Sequence, residues 1–286
     1  MRRAIKIVGI VLAVLCGLLV LVFLFARAYV NDGDVPVVAD LLPPGVEQRH
    51  LMAIFPHPDD ELSVAGTLRQ HDHLGVETSL LVLTQGENGP TGGIVPPEQL
   101  GQARAAEVRA SARILGVDHV EIFSYPDSAL PEVEPARIKA TIREMIHRYR
   151  PAVIITYDDR VSLYGHHDHA LTGKLTREVF AEDRDNPGFP VRRLYMITLS
   201  SGMLDAALRL SPTFRDRYPR DPDRQLPAPD VAVRITEHGA AKNAAMAAHA
   251  TQREILRSVQ PLHDVLPYWL YYRWLDREYF ALVEQR

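Results

Sequence analysis

Residues 51–61 read Leu51-Met52-Ala53-Ile54-Phe55-Pro56-His57-Pro58-Asp59-Asp60-Glu61. Five apolar residues stop at a proline and give way to an imidazole and three carboxylates, the pattern of a buried strand that delivers a polar loop. Outward from it, short apolar runs alternate with longer amphipathic stretches. They read as helix 61–74, strand 79–84, helix 101–115, strand 120–124, helix 135–149, strand 152–156, helix 170–180, an apolar run at 194–199 and strand 231–235. This alternation predicts an α/β domain, a Rossmann-like and mostly parallel sheet with helices on both faces. Residues 211–230, rich in Pro, Asp and Arg, read as a surface loop. The end reads as helical over 237–259 and again over 268–275.

The N-terminus is of another kind. Residues 7–26, IVGIVLAVLCGLLVLVFLFA, carry no charge; at about 1.5 Å per residue such a helix spans roughly 30 Å of hydrocarbon. Arg2, Arg3 and Lys6 precede it, whereas Arg27 alone follows before Asp32 and Asp34, so the positive-inside bias predicts a cytoplasmic N-terminus and an extracytoplasmic domain, periplasmic or cell-surface. A cleaved signal peptide is the competing reading, because Ala26-Arg27-Ala28 has a small-x-small form, and cleavage would make the protein secreted; the apolar run exceeds a usual signal core and favours a retained anchor. The expected organisation is a cytoplasmic stub and transmembrane anchor over 1–30, a Pro-rich acidic linker over 31–49, and one domain over 50–286.

The 286 residues are 47% hydrophobic, enough for a core that can carry a buried site. A formal charge of −4 leaves no dominant basic surface, which disfavours nucleic acid as a partner. The single cysteine, Cys16, excludes an intrachain disulfide and a thiolate metal cluster. A metal would have to be held by His, Asp or Glu.

In such a sheet the ligand site lies at the carboxyl ends of the strands. Three polar clusters fall there: His57 to Glu61, then Thr84-Gln85-Gly86-Glu87-Asn88-Gly89, then Tyr157-Asp158-Asp159-Arg160 leading to Tyr164-Gly165-His166-His167-Asp168-His169. A catalytic zinc takes three protein ligands and keeps an open position. His57 and Asp60, three apart, can converge on one ion, and His169 or His166 would complete the set. Asp59 is then free to face a water on the ion and take its proton, the ion lowering that water's pKa from about 15.7 toward about 7. Each cluster alone has a plainer explanation, acidic residues at a helix start or a solvated His-rich loop. Both together at the strand ends of one sheet point to a metal site.

At these residues the chain resembles the PIG-L/LmbE family of zinc-dependent N-deacetylases. The likeness covers roughly residues 50–283, anchored by His57-Pro58-Asp59-Asp60-Glu61 and by His166-His167-Asp168-His169. Supporting matches include Leu100 to Gly116 with Arg104 and Glu107, Tyr125-Pro126-Asp127, Lys242, His249, Gln252 and Arg277-Glu278-Tyr279-Phe280. The resemblance implies that His57, Asp60 and His169 bind Zn2+, with Fe2+ an alternative, and that Asp59 is the general base. It implies that His166 stabilises the oxyanion and protonates the leaving amine, with Asp168 keeping His166 cationic and Tyr164 contacting the tetrahedral intermediate. Glu61 is expected to be structural, and Arg104, Glu87 and Asn88 are candidate substrate contacts. His167 stands where many members have proline and is expected to be exposed. The implied activity is removal of an N-acetyl group from an amino-sugar or glycolipid conjugate. The alternatives are an amide or ester hydrolase acting on a non-sugar substrate, or a non-catalytic glycan- or lipid-binding relative.

Overall fold

The computed structural model describes residues 2–221 and 223–286. Its strands are β1 Val37–Val38, β2 His50–Phe55, β3 Glu77–Thr84, β4 His119–Tyr125, β5 Val153–Thr156, β6 Arg193–Thr198, β7 Val231–Arg234 and β8 Arg277–Gln285. The helices are α1 Arg2–Val30, α2 Ala65–His73, α3 Leu100–Leu115, α4 Pro135–Tyr149, α5 Ser162–Gly165, α6 His167–Asp183, α7 Ser201–Leu210, α8 Pro212–Arg217, α9 Gly239–Ala248, α10 Arg253–Val259 and α11 Tyr268–Trp274. One sheet holds the strands in the order β1-β7-β8-β6-β5-β2-β3-β4.

Strand β2 explains the layering. All six of its residues are buried, and alternate side chains face opposite ways. Leu51, Ala53 and Phe55 pack with Leu68 of α2, Val108 and Leu115 of α3, and Met246 of α9. Met52 and Ile54 pack with Ile138 and Ile142 of α4 and with Leu175 and Val179 of α6. A strand covered on both faces needs a continuous apolar run, and slipping it by one residue would exchange both cores at once.

Strands β2 to β6 pair in parallel. From β2 the chain steps outward to β3 and β4, then returns to lay β5 on the other side of β2. That reversal opens a crevice at the carboxyl ends of β2 and β5, where such sheets bind ligands. β8, for which no strand was expected, runs antiparallel between β6 and β7. Its apolar centre is flanked by Arg277, Glu278, Glu284 and Gln285, which blur the strand pattern.

Other differences follow from capping and packing. Within the expected loop 211–230, Ser211 accepts a hydrogen bond from the Phe214 N–H and starts α8; Ser200 caps α7 in the same way at Met203. The expected helix over 237–259 is broken at His249, whose backbone leaves the helical region. Residues 31–49, expected as a linker, lie along the domain: Val37 and Val38 pair with β7, and Leu41 and Leu42 are buried in the core. The prolines and acids of this segment mask those apolar residues in the sequence. The apolar residues of α1 are exposed from Ile5 to Phe25 except the half-buried Phe23, and the helix is long and apolar enough to cross a membrane. Its last turn is docked: Val30 is buried, Ser200 Oγ donates to the Val30 carbonyl, Trp274 Nε1 donates to the Ala26 carbonyl, and Arg27 pairs with Asp276.

Candidate metal centre and active site

The loop after β2 makes a tight turn in which Asp59 adopts φ 106°, a left-handed conformation uncommon for a residue with a side chain. The second half of the site comes from β5 and α6. Gly173 lies so close to β5 that a Cβ there would sit 2.2 Å from the Tyr157 carbonyl oxygen. That approach brings the first turn of α6 against Tyr157, whose ring stacks on His169 at 4.0 Å and 2°. Asp168 and His169 therefore sit in a helical turn and not in the loop expected for them. Ahead of them, buried Asp158 accepts from the backbone N–H groups of Arg160, Val161 and Leu163 and pins the strained turn that presents Tyr164 and His166.

Two segments about a hundred residues apart meet here. His57 Nδ1 lies 3.3 Å from His169 Nε2 and 3.4 Å from Asp60 Oδ2, and His169 Nε2 lies 3.1 Å from Asp60 Oδ1. Tetrahedral zinc with ligands at about 2.0–2.1 Å requires ligand atoms roughly 3.3–3.4 Å apart, so the edge between the two imidazoles has the length one ion requires, while His57 and His169 face different oxygens of Asp60. The electrostatics agree. Burial would lower the imidazole pKa of His57, yet hydrogen bonds with Asp127, Asp168 and Asp60 hold it well above its ordinary value. Burial would raise Asp60, yet His169 and His57 hold it well below the carboxylate range. These carboxylates stabilise positive charge at a point walled by buried groups, and the donor set suits zinc or iron(II).

Supporting contacts fix the ligands. His57 Nε2 is 3.1 Å from Asp168 Oδ2 and 3.2 Å from Asp127 Oδ1, an arrangement that keeps the proton on Nε2 and frees Nδ1 for a metal. The Tyr157 hydroxyl donates to Asp60 Oδ1 at 3.0 Å. Neither Asp127 nor Tyr157 was assigned a role from the sequence, although Tyr157 opens the third polar cluster and Asp127 follows strand β4.

Several expected roles change. The Asp168 carboxylate, whose charge acts on His166 to raise its pKa, is hydrogen-bonded to His57 and to the backbone N–H groups of Ser128 and Leu130. His166 Nδ1 accepts from the Asp168 backbone N–H at 3.3 Å and caps α6. Burial, then the neighbouring His169 and His57, lower His166 to about 3, so it is neutral with its proton on Nε2. Arg104 is not available to substrate: it is 4% exposed, donates to the carbonyls of Gly86 and Pro58, and lies 3.2 Å from Asp59 Oδ1. Glu87 Oε1 accepts from the Asp127 N–H, and Asn88 donates twice to Asp127, from its backbone N–H to Oδ2 and from its side-chain amide to the backbone carbonyl. Both residues clasp the loop that carries Asp127.

Asp59 stands beside the ligand triangle. Burial pushes its carboxyl up to about 6, Arg104 pulling it down and Asp60 pushing it up. Glu61 is fully buried and structural as expected, accepting from Ser111 and His249 and from the Asp59 backbone N–H. Tyr164 packs edge-on to His169 at 5.3 Å, and burial followed by the charges of Asp60 and Asp59 keeps its hydroxyl protonated. His167 has a 55% exposed side chain and contacts the Ser128 carbonyl.

Comparison with known proteins matches this architecture. The PIG-L profile, described as GlcNAc-PI de-N-acetylase, matches residues 52–180. A 1D-myo-inositol 2-acetamido-2-deoxy-alpha-D-glucopyranoside deacetylase of Nocardiopsis dassonvillei is 31% identical over 241 residues, 70% of this chain and 83% of the relative. The enzyme of the same name from Mycobacteroides abscessus is 28% identical over 235 residues, 71% of this chain and 81% of the relative. Among solved structures, the N,N'-diacetylchitobiose deacetylase of Pyrococcus horikoshii superposes with a TM-score of 0.60 at 21% identity, covering 83% of this chain and 84% of the other.

Proposed function

The chain belongs to the PIG-L family, and from that premise we propose that it is a membrane-anchored, metal-dependent deacetylase of N-acetylglucosamine-type sugar conjugates. The observation that carries the proposal is the convergence of His57 Nδ1, Asp60 and His169 Nε2 within 3.1 to 3.4 Å, with the Asp59 carboxylate alongside.

His57, Asp60 and His169 would hold the ion. A bound divalent cation supplies a water of lowered pKa and polarises the amide carbonyl. Asp59 takes the proton of the attacking water. His166, neutral and protonated at Nε2, and the Tyr164 hydroxyl are donors for the oxygen that gains charge as the amide carbon becomes tetrahedral. Because His166 is held neutral, the proton that reaches the departing nitrogen comes from Asp59, whose carboxyl near 6 both accepts and returns a proton at neutral pH. Burial of the site limits competing water.

The expected outcome is acetate release from N-acetylglucosamine conjugates that depends on one divalent metal per chain and falls at least a hundredfold in Asp59→Ala without loss of the metal. Faster turnover of aryl or alkyl esters than of any amino-sugar amide would favour the ester-hydrolase reading, and no turnover of either class would favour a binding role. Residues 7–26 would anchor the chain, with the domain outside the cytoplasm. A periplasm-active reporter fused after Arg286 tests that orientation, and activity only of a cytoplasm-active reporter would overturn it.

A further inference from the structure

The connection between α10 and α11 turns an apolar side outward. Within residues 262–269, Leu262, Val265, Tyr268 and Trp269 are exposed, Val265 at 70% and Trp269 at 53%. Single exposed apolar side chains are ordinary on a protein surface, whereas several large ones on one short segment mark a contact. The segment is firmly built, so this is not the exposure of a loose loop. Leu266 packs on the core, the N–H groups of Val265 and Leu266 donate to the Leu262 carbonyl, and Arg257 Nε donates to Asp264 Oδ2 at 2.6 Å. Leu262 is held at φ 69°, a left-handed conformation uncommon for leucine. Asp264, paired with Arg257, is the one carboxylate in residues 260–275.

The place of this segment is set by α1. The face of α1 that meets the domain carries Phe23, Ala26, Arg27 and Val30, spaced three and four apart, and it is covered from the buried Val30 back to the half-buried Phe23. Phe23 belongs to the uncharged run 7–26, so part of the domain lies alongside the outermost turn of the apolar span. The helices packed there are α7 and α11. Arg27 Nε donates to the Arg273 carbonyl at 3.0 Å and Asn31 Nδ2 to the Trp274 carbonyl at 2.6 Å. These contacts advance together, so α11 runs in the same sense as the end of α1 and its amino end points back toward the span. Seven residues of helix cover about 10 Å, which carries Tyr268 and Trp269 to that level. Tyr and Trp concentrate where a membrane meets water. Arg273, whose guanidinium lies 6.0 Å from the Trp269 ring centre, is of the kind that keeps its charged end in water while its stem lies on apolar surface.

We propose that residues 262–269 form a second membrane contact, with Leu262, Val265, Tyr268 and Trp269 inserted at the boundary between headgroups and acyl chains of the bilayer that α1 crosses. The proposal rests on the reading of residues 7–26 as an anchor, and its test reports on the two separately. α1 alone can tilt in the bilayer and would carry the domain with it. The second contact fixes which side of the domain faces the membrane. Because α1 already holds the segment beside the bilayer, insertion is an intramolecular step that a small apolar area can drive.

The test uses the full-length chain in nanodiscs of zwitterionic phosphatidylcholine and nitroxide labels on cysteine. Cys16 is the single cysteine and is exposed on α1, so its label reports on the anchor. In a Cys16→Ser background, Val265→Cys puts the label on the proposed contact. Ser124→Cys puts it on β4, exposed and at the edge of the sheet opposite β1, as the aqueous control. Power saturation in electron paramagnetic resonance compares access of oxygen, which partitions into lipid, with that of a neutral nickel chelate, which stays in water. The oxygen-to-nickel ratio at position 265 should exceed that at position 124 by about fivefold or more, as for a side chain about 5–10 Å into the headgroup–acyl boundary. Leu262→Cys should give the same result and serves if Val265→Cys does not fold. With Cys16 in lipid, equal ratios at positions 265 and 124 would overturn the proposal and leave the anchor standing. Dipolar broadening between labels at position 265, from a second copy covering the segment, would also overturn it. A nickel-accessible Cys16 with position 265 in lipid would retain the contact and defeat the anchor reading, and both positions in water would defeat both.

Discussion

Asp168→Asn is a sharp perturbation because it changes one oxygen of a completely buried group and almost no volume. The Asp168 carboxylate accepts from the Ser128 N–H at 2.8 Å, the Leu130 N–H at 3.2 Å and His57 Nε2 at 3.1 Å. All three are donors when His57 is a metal ligand through Nδ1. An asparagine offers one acceptor oxygen and must turn its NH2 toward at least one of these donors, leaving a buried polar group unmet at about 1–3 kcal/mol. If the NH2 faces His57, it favours the tautomer with the proton on Nδ1, which cannot bind metal. Asp127 Oδ1, 3.2 Å from the same Nε2, supplies a second acceptor and should hold the loss of metal affinity near tenfold, the low end of the 10- to 100-fold range for such outer partners. Asp127→Asn should cost a similar amount, and the double variant about a hundredfold or more. Competition with a calibrated chelator reads the dissociation constants, and thermal melting without metal separates folding from binding. Metal affinity of the double variant within twofold of the parent would refute the reasoning, because His57 would then not depend on these carboxylates.

Three further outcomes follow from the packing around the site. Arg104 holds Asp59 below the value that burial alone would give; activity needs the deprotonated base, so kcat/KM should rise with pH through the Asp59 midpoint, and Arg104→Met should move that limb to higher pH. A bound cation draws both midpoints down, so the difference between the two profiles is the readout, and superimposable profiles would contradict the assignment. His249 is buried against Glu61, and although burial lowers its imidazole pKa, the carboxylate raises it overall. A raised folded-state pKa gives stability that is complete below the unfolded value near 6.5 and is lost as pH rises through the folded value; the gap in urea stability between parent and His249→Gln should therefore shrink with increasing pH, and a growing gap would contradict it. Gly165 has φ +97°, and a Cβ there would lie 2.5 Å from the Arg217 carbonyl oxygen. Gly165→Ala should cost about 1–3 kcal/mol and displace His166, read as a lower denaturation midpoint with a reduced kcat; an unchanged midpoint would show that the turn is not strained.

What could be read in advance divides by range. Strand β2 and its polar exit were legible because both of its faces are buried and the apolar run is unbroken, and α4 is legible from the helix-starting Pro135 and its amphipathic period. β8 was not, since its charged ends and central apolar stretch fit several structures until β6 and β7 flank it. His57 and Asp60 stood out as candidate ligands by residue type and spacing, whereas the choice of His169 over His166 came from the family resemblance. Their outer partners were not legible, because Asp168 reaching past His166 to His57, and Arg104 reaching under the loop to Asp59, are facts of packing between segments far apart in sequence. The burial of Arg104 also removes the simplest reason for reading it as a substrate contact. Leu41 and Leu42 make the same point in reverse, since a stretch composed like a spacer is held by apolar residues that meet the core.

The central claim is that His57 Nδ1, Asp60 and His169 Nε2 share one ion. Anomalous scattering at the zinc edge from crystals of the zinc-loaded protein tests it most directly. The account predicts a single peak within about 2.0–2.2 Å of those three groups. A peak instead held by His166 in place of Asp60, among His57, His166 and His169, or a peak among His166, His167 and Asp168 or among His57, Asp127 and Asp168, the clusters whose ligand atoms also lie close together, would contradict it.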